Sequence, residues 1–87
     1  MHAVVVNVTV HDREAATASL NETVVPRVSQ APGFVAGYWV GLPDGKGTST
    51  IVFESEEAAS AAAAQLQPPG DFVSFDSVEV GAVVASA

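Results

Sequence analysis

Two histidines, ten carboxylates, three basic residues and no cysteine are the raw material for chemistry in this 87-residue chain. Their spacing removes most of the usual options. His2 and His11 bracket a β-branched run, and nine residues of extended chain span about 30 Å at ~3.3 Å each, so the two imidazoles cannot share a metal within one chain. No thiol, no Gly-x-Ser-x-Gly elbow and no paired carboxylates with acid–base spacing are present, which leaves no nucleophile with its base. Asp12, Glu14, Glu56 and Glu57 fall at expected helix starts, where the helix dipole accounts for them. Gly45-Lys46-Gly47 lies between two strand-like runs and reads as a hairpin turn rather than a phosphate loop. Metal and cofactor ligands are therefore not expected, and the side chains left for a site are Asn7, Tyr38, Trp39 and Phe53.

The elements that must position them follow from the pattern. Ala3–Val10 (AVVVNVTV) is β-branched and ends at His11-Asp12, as a strand does. Asp12 has the type and place of an N-cap, and a helical stretch follows through Leu20, Val24 and Val28, with Pro26 required to kink or divide it. Phe34–Leu42 and Thr48–Phe53 form a hairpin across Pro43–Gly47. Ser55-Glu56-Glu57 opens an alanine-rich helix that Pro68-Pro69-Gly70 stops. Asp71–Phe75 fits neither period, and Ser77–Ala85 is the last strand. The order β, α, β, β, α, β predicts one α+β domain over residues 1–87, a ferredoxin-like βαββαβ fold with both helices on one face of an antiparallel sheet.

Side-chain parity then suggests a site. If the hairpin turns about Gly45, Trp39 lies across from Ile51 and Gly37 across from Phe53, so odd-numbered residues share a face. Placing Asn7 on that same face, under the helices, gives a lone amide among Trp39, Ile51 and Phe53, with Gly37 leaving a gap. On this reading Val4, Val6, Val8 and Val10 form the opposite, uncovered row and supply an interface to a second copy. The alternative is that Trp39 and Phe53 are ordinary core and Asn7 bonds to backbone or water.

The segments Val25-Pro26-Arg27-Val28-Ser29-Gln30-Ala31-Pro32-Gly33-Phe34 and Val52-Phe53-Glu54-Ser55-Glu56-Glu57-Ala58-Ala59, with the valine-rich first strand, resemble the dimeric α+β barrel proteins, in particular the antibiotic biosynthesis monooxygenase group. The resemblance spans about the whole chain. It implies a homodimer in which two sheets pack face to face. It also implies a cleft lined by an Asn on the first strand and a Trp on the third, and Asn7 matches the first of these as the candidate catalytic residue. Position 53 carries Phe in place of Trp, and residues 55–67 lack the His of the haem-degrading members, so haem is not an expected ligand. Trp39, Phe53, Gly37 and Ile51 remain the candidate substrate-binding residues.

Composition bounds the partners. With a net charge of −7 and three basic residues, the chain has no phosphate-binding stripe, so neither nucleic acid nor an anionic membrane is an expected partner. The first residues lack the pattern of a secretory signal, from which a cytoplasmic location is expected. Ala and Val dominate the apolar residues, whereas Leu and Ile number only four, and so small a domain buries only about 60–65% of its unfolded surface. Self-association is the natural remedy. Two function classes stand open: a cofactor-independent monooxygenase acting on a small aromatic or polyketide-like compound, and a non-catalytic module that binds a small apolar ligand or simply assembles.

Overall fold

The computed structural model describes residues 1–87. Its elements are β1 (His2–Val10), α1 (Arg13–Ser19), a five-residue π-helical turn (Leu20–Val24), α2 (Val25–Ser29), β2 (Phe34–Leu42), β3 (Lys46–Phe53), α3 (Glu56–Gln65) and β4 (Val73–Ala82). The strands form one antiparallel sheet in the order β2-β3-β1-β4. This small α+β architecture is compatible with a ferredoxin-like fold.

Local chemistry explains the helical segments. Asp12 is extended and its Oδ1 accepts from the Ala15 N–H at 3.1 Å, satisfying one of the donors that a helix start leaves free. Ser55 does the same for α3, accepting from the Ala58 N–H at 3.1 Å. The division expected at Pro26 is present, as a π turn before it: the Val25 N–H reaches back to the Leu20 carbonyl. Proline has no N–H and crowds the carbonyl four residues earlier, and the wider turn leaves space for the ring. Gly33 then closes the segment at φ 79°, where a Cβ would meet Ala58 Cβ at 2.9 Å, so glycine sets how closely this turn approaches α3.

The last strand begins at Val73, which assigns most of the ambiguous Asp71–Phe75 stretch to β4. The hairpin pairs Leu42 with Lys46 across Pro43-Asp44-Gly45, with φ of 62° at Asp44 and 71° at Gly45. Its centre is thus Asp44 rather than Gly45, and Trp39 pairs with Ser49 and Gly37 with Ile51. A two-residue shift preserves parity, so Gly37, Trp39, Ile51 and Phe53 do share a face.

The face assignment of β1 is reversed from the sequence reading. Val4 pairs with Ile51 and Val6 with Ser49, which puts the even row of β1 on the helix side. Val4, Val6, Ile51, Phe53 and Ala59 form the buried core, with Val8, Phe34, Trp39 and Phe75 packed against it. The valine row is therefore the floor beneath the helices and not an open interface. A strand of four valines is what the covered side of a sheet requires, because each buried one removes apolar surface from water. Asn7 pairs with Thr48 and turns to the uncovered face.

Candidate functional site

A cavity of about 390 Å³ lies between the sheet and the first helical segment, at the hairpin end. Its origin is visible in the register. On the helix side, β2 and β3 present Phe34, Gly37, Ile51 and Phe53 at one end, but Gly41, Gly47 and Ser49 at the other. Bulky side chains fill the first end and small ones leave the second open. Val8 leans over Gly47, where a Cβ would stand 3.0 Å from its Cγ2, and the Arg13 guanidinium occupies the space that a Cβ on Gly41 would need. Ala16, Thr17, Leu20 and Asn21 line the cavity opposite these strands, so the first helical segment covers the gap.

The lining is mainly apolar: Val6, Val8, Leu20, Trp39, Phe72 and Phe75 dominate it. Polar groups enter from Arg13, Thr17 and Asn21 on the helical segment, Ser49 on β3, and Gln67 after α3. Ser49 is only 7% exposed. Arg13 Nη2 donates to the carbonyls of Leu42 and Lys46, each at 3.1 Å, which ties the start of α1 to both sides of the hairpin. A second cavity of about 130 Å³ lies toward α2 and α3 and shares Ile51 and Leu66 with the first.

The proposed site residues separate. Trp39, half-buried, and Ile51, 3% exposed, both line the larger cavity. Phe53 lines the smaller one, 1% exposed, with its ring edge-on to Phe34 at 6.2 Å and 81°. Gly37 lines neither, because the Trp39 ring already covers it: a Cβ there would meet ring carbons at 3.0 Å. The expected gap at Gly37 is filled by the neighbouring indole. Asn7 is on the opposite face, exposed, with its Nδ2 donating to Ser77 Oγ at 3.0 Å. The residue expected to carry catalysis is thus separated from the cavity by the sheet itself. Tyr38 also faces away, 66% exposed.

Sequence reading missed Arg13, Asn21 and the Gly41/Gly47 pair. Two glycines in facing strands were a usable signal, but their pairing emerges only when the hairpin is centred on Asp44. No three His or carboxylate side chains converge to suit a metal ion, and no helix is long and apolar enough to cross a membrane. No family model and no curated protein matches the chain.

Proposed function

We propose that this protein is a homodimeric module that holds a small, flat, mostly apolar compound in the cavity beneath its first helical segment. The observation that carries the reading is the cavity itself. Its volume falls within the range of about 300–1,000 Å³ usual for small-molecule sites, and its apolar walls with a few convergent polar groups fit that class. Trp39 supplies a stacking surface, and Asn21 can donate to a carbonyl oxygen or accept from a phenolic hydroxyl.

Retention is favoured over turnover by the chemistry of the lining. No His, Asp, Glu, Cys or Tyr borders the cavity, so no side chain there has an ordinary pKa suited to a general base near neutrality. An oxygenase of this kind would depend on a substrate that forms its own carbanion, with the protein contributing orientation and exclusion of water. With Asn7 on the other face, Asn21 is the only carboxamide of the first helical segment placed to assist.

A second copy is the occupant proposed for the uncovered sheet face. A standard interface takes about 800 Å² from each partner, a small part of the 5476 Å² that this chain exposes. Tyr38 and Val40, 66% and 48% exposed, lie on this face beside Val5, Thr50 and Val52. Native mass spectrometry of protein from its source organism tests both parts together. The expected species is two chains carrying a retained small molecule; a bare single chain at micromolar concentration would overturn the reading.

A further inference from the structure

The distribution of charge around the two cavities does not follow that of the chain. Ten carboxylates outnumber three basic residues, yet no Asp or Glu lines either cavity, while two of the three basic residues do: Arg13 the larger and Arg27 the smaller. Neither guanidinium pairs with a carboxylate, the only ion pairs being His2–Glu56 and Lys46–Asp76. An unpaired arginine is notable where anionic partners are so abundant.

Arg13 is also held in place. Nη2 is anchored by the two hairpin carbonyls, and the missing side chain of Gly41 lets the guanidinium lie against β2. Those contacts use one nitrogen, so the donors on Nη1 and Nε are free, and a fork fixed in this way loses little freedom on meeting a planar anion. The remaining polar lining is neutral. Asp12 and Glu14 flank Arg13 in the chain without pairing with it or lining the cavity, and more distant carboxylates are screened over about 8 Å at physiological ionic strength.

We propose that the ligand is an organic anion, a carboxylate or phenolate on an apolar ring system, with its body against Trp39 and its charge at Arg13. This rests on the cavity being the binding site and adds the class of compound it selects. Naphthalene-2-carboxylate and naphthalene-2-carboxamide share a shape and differ in charge, and Trp39 is the only tryptophan, so its indole N–H resonance reports occupancy of the cavity.

Titrations of the intact protein with each probe, followed by NMR and calorimetry, should show both shifting Trp39, with the carboxylate bound about tenfold more tightly. Arg13→Gln should abolish that preference by weakening the carboxylate about tenfold more than the carboxamide, whereas Arg13→Lys should retain part of it. Lys46→Gln removes the same unit of charge away from the cavity and should leave the ratio as it is. Equal affinities in the wild type, or an Arg13→Gln variant that weakens both probes alike, would overturn the assignment of an anion while sparing the cavity as the site. If neither probe shifts Trp39, both the anion assignment and the cavity as the site are overturned.

Discussion

Phe53 and Asn7 both entered the candidate site on parity, and truncating each to alanine should now have very different effects. Phe53 is 1% exposed and edge-packed on Phe34, so Phe53→Ala removes a core ring and should cost about 3–5 kcal/mol in denaturant unfolding. That is a large part of what so small a domain possesses. Asn7→Ala deletes one exposed hydrogen bond to Ser77 and should cost under about 1 kcal/mol, with no change in ligand retention by native mass spectrometry. Val6→Asp belongs with Phe53: Val6 is 3% exposed, so the variant should fail to fold rather than simply lose its partner, as circular dichroism would show. At this scale the sequence was legible within the hairpin and illegible between β1 and β3. The hairpin strands are joined by a short turn that fixes their parity, whereas β1 and β3 are distant in sequence. A slip of one residue there exchanges every side chain between faces. Packing resolves it, because four valines have more to gain under the helices than Ala3, Val5, Asn7 and Thr9 do.

Helix ends, in contrast, were written locally. Asp12 and Ser55 cap as their types require, and Ser55→Ala should destabilise the protein by about 1 kcal/mol in denaturant titration, since the Ala58 N–H then loses its acceptor. Pro26 announced a break without saying what form it would take, and the π turn at Leu20–Val24 is a response of the whole segment to the missing donor. The cavity belongs to this scale as well. Three small residues, Gly41, Gly47 and Ser49, share one end of a hairpin face, and none of them signals a site alone. Only their pairing, with the first helical segment above, turns absent side chains into volume.

The sheet of the whole molecule has two faces with different tasks. The helix side holds the core and the cavity, and the other side leaves Tyr38 and Val40 exposed where the proposed second copy would pack. Tyr38→Glu should convert a particle of two chain masses into one of a single mass by light scattering without loss of helical signal, because the position is already exposed in the single chain. The most direct test of the central claim, that the helix-side cavity accepts an apolar guest, is the response of labelled protein to xenon pressure, since xenon enters apolar voids without needing a particular ligand. Saturable shifts at the Trp39 indole and the methyls of Val6, Val8 and Leu20 are the predicted result. Shifts confined to Val5, Val52 and Tyr38 on the other face, or none at all, would contradict it.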